Sequence, residues 1–245
     1  MLGMVTTMET ANTGVRDIAN AIGGGVREGS LVLIEGEAKA GKSVMSQYIA
    51  YGILSAKESS VVYYSMDCDT EALMTNMDSI ALGVRPFLSN DRLRVYVMES
   101  GKVFGNYREY LRLITDHIAG LPPRFKLVVV DSISPLMMRL KQMHQMDFLN
   151  SFRELCDTGR SIVLTLNPHV FEAAALARAY AMSDYYLKLQ SNNVVLGAGQ
   201  VETRNIKTMD VPRLAGAERR GQAGIKFEIK PGIGIQILPL VHVRI

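Results

Sequence analysis

Residues 36–43, Gly36-Glu37-Ala38-Lys39-Ala40-Gly41-Lys42-Ser43, carry the spacing G-x-x-x-x-G-K-S between an apolar stretch, Leu31 to Glu35, and a helical pattern. This spacing suits one chemistry, the binding of phosphate. Glycines let the chain turn tightly, its amides surround phosphate oxygens, and the helix that follows aims its positive end at them. Lys42 is then placed to reach β and γ phosphates, and Ser43 to set its hydroxyl on a magnesium ion.

Two further groups sit where they can join this loop. Leu127 to Val130 are four apolar residues ending in Asp131, the pattern of a buried parallel strand with an acid at its carboxyl tip. Ligands of open α/β sheets bind at such tips, so Asp131 is expected beside the loop, holding Mg2+ through its water shell. An ordinary strand end with a helix-capping aspartate is the alternative, and the loop upstream weighs against it. Related P-loop folds put a polar γ-phosphate sensor at the end of the next strand, and it is that resemblance which makes Thr165 and Asn167 candidates; Asn167 before Pro168 reads equally as a turn residue, and His169 as a phosphate contact or, rather, a solvent-facing loop histidine.

The elements that must position these residues alternate along the chain. Periodicity predicts strands over 31–35, 61–66, 93–97, 126–131 and 161–166, with helices over 43–56, 70–82, 106–119, 145–158 and 171–181. That order builds a doubly wound α/β sheet, mainly parallel. Beyond Asp184 the helices stop: 185–190, 194–197 and 200–207 read as short strands, and 225–229 with 233–237 as a hairpin around Pro231-Gly232. These form a C-terminal antiparallel extension. Residues 208–223, rich in Gly, Ala and Arg, read as a surface loop carrying Arg213, Arg219 and Arg220.

Composition narrows the classes. With 245 residues and 48% hydrophobic content the chain suits one domain spanning 1–245. Lys+Arg total 27 against 24 Asp+Glu, a net charge of +3, which does not argue for a nucleic-acid partner. Cys68 and Cys156 match no zinc or disulfide spacing, and the acids flanking Cys68 disfavour a thiolate, so free thiols in a reducing, cytoplasmic setting are expected. No apolar run approaches the length needed to cross a bilayer. Methionines such as Met74, Met77, Met137 and Met138 read as core filling rather than soft-metal ligands.

Together these features resemble the RecA/KaiC branch of P-loop ATPases. Thr13-Gly14-Val15 and Ile22-Gly23-Gly24-Gly25-Val26-Arg27-Glu28-Gly29-Ser30 are similar to the lead-in of KaiC-like domains. Within that branch the chain resembles the archaellum (archaeal flagellum) accessory ATP-binding family, FlaH/ArlH. The likeness rests on residues 29–36, 128–134, 165–168, 183–189 and 227–239, nearly the whole length. It implies ATP and Mg2+ as ligands and a nucleotide-dependent homo-hexameric ring. It further implies the archaellum motor ATPase and membrane-bound scaffold or platform proteins as partners, with a cytoplasmic location peripheral to the membrane through them. The absence of an N/T-K-x-D segment favours ATP over a guanine nucleotide by default.

The resemblance also sets expectations for catalysis. RecA-like hydrolases place a water-activating glutamate at the end of the strand beside the P-loop strand, and KaiC-like relatives have a Glu-Glu pair about where Asp67 and Cys68 stand. Asp67 is one methylene shorter, about an ångström short of the water, and misplacement on that scale can cost on the order of a hundredfold in rate. Glu71 and Asp69 read instead as complements of the next helix's positive end. A Lys-x-Arg that would reach a neighbour's γ-phosphate is matched only by Arg213-Leu-Ala215, leaving Arg213 as a possible contact across a subunit interface. Tight ATP binding with slow or absent turnover is therefore expected. The alternatives are an active RecA-like ATPase acting on DNA, against which the near-neutral charge stands, and a KaiC-like signalling ATPase with a phosphorylated hydroxyl among Ser132, Ser134, Ser161 and Thr165.

Overall fold

A computed structural model of the chain describes residues 13–56, 59–98, 107–196, 202–215, 217–218 and 224–238. In order they form α1 (Thr13–Ala21), β1 (Leu31–Gly36), α2 (Lys42–Ser55), β2 (Ser60–Ser65), α3 (Thr70–Ser79), α4 (Arg85–Ser89), β3 (Leu93–Val97), α5 (Tyr107–Gly120) and β4 (Phe125–Asp131). Then follow α6 (Ser134–Met137), α7 (Gln142–Asp157), β5 (Ser161–Leu166), a 3-10 turn (Pro168–Val170), α8 (Ala173–Met182), β6 (Tyr185–Leu196), β7 (Glu202–Leu214), β8 (Ala217–Glu218), β9 (Ile225–Lys230) and β10 (Gly234–Ile237).

All the strands join one sheet in the order β10-β9-β7-β6-β1-β5-β4-β2-β3, with β8 on β7. From β6 to β3 every neighbouring pair is parallel, and from β6 outward through β7 and β9 to β10 every pair is antiparallel. Strands β1, β2 and β5 are buried at every position, as central strands covered on both faces must be. One face packs Val32, Ile34, Tyr63 and Val163 against α1, α2 and α3; the other packs Leu33, Val128, Ile162 and Leu164 against α5, α7 and α8. Each of these apolar side chains contributes about 1.5–3 kcal/mol by leaving water. Met74, Met77 and Met137 lie in these cores, whereas Met138, expected there, is 67% exposed just past the end of α6.

Two predicted features come out differently. Strand β2 does not flank β1: β5 and β4 lie between them, and β2 neighbours the strand that ends in Asp131. The crossover helices carry the chain over intervening strands, and nothing local in the sequence states how many are passed. Residues 208–214, expected as loop, continue β7, pairing with both β6 and β9. Alternate side chains there are needed by the sheet, Met209 being fully buried, and this outweighs a Gly/Ala/Arg-rich composition. Arg219, Arg220 and the expected strand segments at 197 and 200–201 lie outside the described residues. The predicted hairpin near the end is present as β9 and β10, with β10 at the sheet edge, tied to α2 where the Ile235 amide donates to the Tyr48 hydroxyl at 2.7 Å.

Candidate functional site

The chain leaves β1 at Gly36, where a side chain is impossible: a Cβ would stand 2.8 Å from the Leu189 carbonyl oxygen and 2.9 Å from the Ala40 Cβ. It then loops through Glu37, Ala38, Lys39 and the buried Ala40 to Gly41, whose φ of 98° lies in the left-handed region that glycine tolerates. Helix α2 starts at once with Lys42 and Ser43, and Gly41 offers no side-chain cap. The first amides of α2 are thus left for a ligand at its positive end. Lys42 folds back so that its ammonium donates to the Glu37 carbonyl at 2.8 Å.

Asp131 closes the opposite wall. Thr165 Oγ1 donates to its Oδ1 at 2.6 Å, Ser43 Oγ donates to the same oxygen at 3.2 Å, and Tyr63 donates to Oδ2 at 2.7 Å. Ser46 Oγ lies 3.0 Å from the Tyr63 oxygen. Burial and the adjacent Asp131 push the Tyr63 hydroxyl well above its ordinary pKa, so it stays a donor. Neighbouring strands explain the convergence: β5 brings Thr165 beside Asp131, and β2 brings Tyr63 from the other side.

A cavity of ≈ 500 Å³ opens between these walls, lined among others by Lys39, Lys42, Ser43, Asp67, Asp131 and Asn167. Asp67 stands on its rim two residues beyond β2, an exposed residue whose carboxyl is raised above its ordinary value. Desolvation by the cavity walls is the main cause, the Asp131 charge the second, and Lys42 opposes both. Burial likewise lowers the Lys42 ammonium against the pull of Asp131 and Asp67. Asn167 lines the cavity, but its side-chain oxygen accepts from the His169 amide at 3.2 Å, capping the 3-10 turn. His169 Nε2 lies 3.0 Å from Glu37 Oε1 at the exposed outer edge of the loop.

Some expected residues take other places. Thr165 is fully buried and spends its hydroxyl on Asp131, so it orients that carboxylate instead of facing a γ-phosphate. Arg213 is bound within its own chain: its Nη1 donates to the carbonyls of Tyr180 at 3.0 Å and Ala181 at 2.5 Å, completing the last turn of α8. To reach a neighbouring copy, the guanidinium would have to give up those carbonyls. Asp69 and Glu71 serve α3 as expected, Asp69 accepting from the Ala72 amide at 2.8 Å and Glu71 pairing with Arg85 at 2.7 Å. Tyr63 and Lys207 belong to the site and were not foreseen. The available signal was phase: Lys207 alternates with the buried Met209, an inward position where lysine is out of place.

Among the described residues no three His, Cys, Asp or Glu side chains converge as a metal cage. One hydroxyl and one carboxylate instead share the wall beside Lys42, a donor set that suits Mg2+ completed by phosphate oxygens and water. The donors present therefore fit magnesium bound together with a polyphosphate.

Loop, helix end and strand-tip acid on a mainly parallel sheet with an antiparallel extension define an α/β P-loop fold of the RecA type. The family model for the KaiC ATPases matches residues 11–242, and the chain belongs to that family. The chain is also similar to the archaeal flagellar ATP-binding protein FlaH of Sulfolobus acidocaldarius, 26% identical over 233 residues spanning 94% of this chain and 96% of that protein. To FlaH of Methanocaldococcus jannaschii it is 29% identical over 224 residues, 90% and 91% of the two chains. Among solved structures, flagellar accessory protein FlaH from Methanocaldococcus jannaschii shares the fold with a TM-score of 0.75 at 21% identity, over 96% of this chain and all of that one. A KaiC-like protein from Pyrococcus horikoshii OT3 does so at 0.68 and 17% identity, over 94% of this chain and 99% of that one. No helix among the described residues is long and apolar enough to cross a membrane.

Proposed function

We propose that this chain is the ATP-binding regulatory and assembly component of an archaellum, a switch that holds ATP with little turnover. The observation that carries the reading is the join between loop and strand tip, where Ser43 meets Asp131 at 3.2 Å beside Lys42 and the open end of α2. Residues Gly36, Glu37, Ala38, Lys39, Ala40, Gly41, Lys42 and Ser43 enclose the phosphates, with Lys42 turning from the Glu37 carbonyl to the ligand. Ser43 binds Mg2+ directly and Asp131 through water. The ion offsets phosphate charge. Asn167 faces the γ-phosphate end. The archaellum setting is supported by likeness to two proteins called archaeal flagellar ATP-binding protein FlaH.

Slow turnover is supported by the state of Asp67, the only carboxylate besides Asp131 on the cavity wall among the described residues. Asp131 is held by three hydroxyls, whereas Asp67 has a short side chain on an exposed rim. In this reading ATP occupancy drives a homo-hexameric ring that docks on the motor ATPase and its membrane-bound scaffold, which places the chain in the cytoplasm at the membrane's edge. Light scattering on size-exclusion fractions with and without Mg-ATP, beside a phosphate-release assay, tests it. Assembly that depends on nucleotide, with turnover below about 1 per second, is the expected result. A monomer indifferent to ATP would overturn the reading.

A further inference from the structure

Lys207 is 8% exposed, in the middle of β7, paired with Ser191 of β6 on one side and Phe227 of β9 on the other. Its ammonium donates to three acceptors: the Lys39 carbonyl at 2.7 Å, Asn205 Oδ1 at 2.9 Å and, more weakly, Ser191 Oγ at 3.4 Å. All three are neutral. Lysine is almost never this buried without a counter-ion, because water lost from an ammonium is repaid in full only by an opposite charge. Burial is the one cause that lowers this ammonium below its ordinary value.

Two details say where the missing charge belongs. Lys207 lines the same cavity as Lys42, Ser43 and Asp131. Its acceptor, the Lys39 carbonyl, sits at the crest of the loop, where the backbone takes a φ of 64° that a non-glycine residue seldom adopts unaided. The stem of the side chain lies along the loop as well, since a Cβ on Gly41 would come within 3.1 Å of Lys207 Cδ.

We propose that Lys207 is a positioning residue for the phosphate loop: it pins the Lys39 carbonyl in the left-handed crest and supplies the bound polyphosphate with a positive charge from the antiparallel half of the sheet. This rests on the nucleotide-binding reading above and adds a coupling to it. Polyphosphate gives Lys207 the negative field it lacks, so binding tightens the hold of β7 on the loop. The β6–β7 hairpin thereby becomes sensitive to what the loop contains.

The test compares wild type, Lys207→Met and Lys207→Gln with Lys42→Ala as a loop control, titrating a fluorescent ATP analogue with Mg2+ and measuring thermal midpoints without nucleotide. Loss of one charge-assisted contact predicts affinity about 10- to 100-fold weaker in both Lys207 variants, and a smaller loss for the corresponding monophosphate. The nucleotide-free midpoint of Lys207→Met should stay the same or rise, because a buried charge without a partner has been removed. A residue that merely filled space would move stability and affinity down together. Amide exchange across 202–214 should slow on adding Mg-ATP to wild type and not to Lys207→Met. If wild type binds and both Lys207 variants bind within twofold of it, the role of Lys207 is wrong while the nucleotide reading stands. If wild type fails to bind at all, both fall. A Lys207→Met that loses affinity only in step with a falling midpoint would also overturn the proposal, Lys207→Gln serving as the second check.

Discussion

Asp131 and Asp67 face one cavity and are built in opposite ways. Asp131 sits at the tip of a strand buried continuously from Leu127 onward, and three hydroxyls from three different elements donate to it. Asp67 lies past the end of β2 on an exposed rim, and its carboxyl is raised by desolvation and by Asp131 itself. The first carboxylate is fixed in place by three hydrogen bonds; the second is held by little, and its carboxyl is pushed toward the neutral form. Under the proposed function, a site organised this way would concentrate its order on holding a ligand and leave Asp67, the candidate for activating water, loosely placed.

The largest effect is expected where the order is greatest. Asp131→Ala leaves the buried hydroxyls of Tyr63 and Thr165 without their acceptor, at a cost of about 3 kcal/mol together. For a chain of this size that lowers the thermal midpoint by roughly 6–12 °C, readable by circular dichroism. A midpoint within 2 °C of wild type would mean that the network does not hold the strand tip. Almost as large, but in rate, is the expected gain from Asp67→Glu: restoring the methylene should raise phosphate release by up to about a hundredfold. An unchanged rate would place the missing component of turnover elsewhere and weaken the contrast between the two acids.

Tyr63→Phe probes the same contrast more gently. It removes one donor from Asp131 without opening a cavity, so a loss of about 1 kcal/mol and a shift of roughly 2–4 °C are expected, with Mg-ATP affinity a few-fold weaker as the carboxylate gains freedom. Unchanged stability and affinity would show that Thr165 and Ser43 suffice to fix Asp131.

How much of this was legible in the sequence follows from distance along the chain. The loop, its flanking strand and its helix were readable because the constraint is local: eight consecutive residues state the turn, the charge and the hydroxyl. Asp131 was readable as well, since four apolar residues ending in an acid describe a strand tip wherever the strand lies. Strand order was not, because the number of strands crossed by α2, α5 or α8 has no local signature. Tyr63 looked like one more β-forming residue until β2 was seated against β4, and Thr165 looked like a ligand contact until burial under Asp131 gave its hydroxyl another use. Lys207 closes the expected strand 200–207, but Met209, whose phase marks Lys207 as inward, falls in the stretch whose Gly, Ala and Arg content reads as loop.

The smallest expected effect bears most directly on what Asp67 is for. Asp67→Asn keeps the shape of the side chain and removes its charge from an exposed rim, where a substitution ordinarily changes stability by no more than about 0.5 kcal/mol. Its effect on binding has a definite sign. A carboxylate facing Asp131 also faces the oxygens of any phosphate in the cavity, and its attraction for Lys42 competes with the ligand for that ammonium. Removing the charge relieves both, so calorimetric titration with Mg-ATP should show affinity unchanged or stronger by about two- to fivefold, the modest size reflecting a charge pair screened by water. A tenfold loss of affinity would instead make Asp67 part of the apparatus that holds the ligand. The division between an ordered binding wall and a loosely held acid would then fail, because the rim carboxylate would be doing the work here assigned to Asp131.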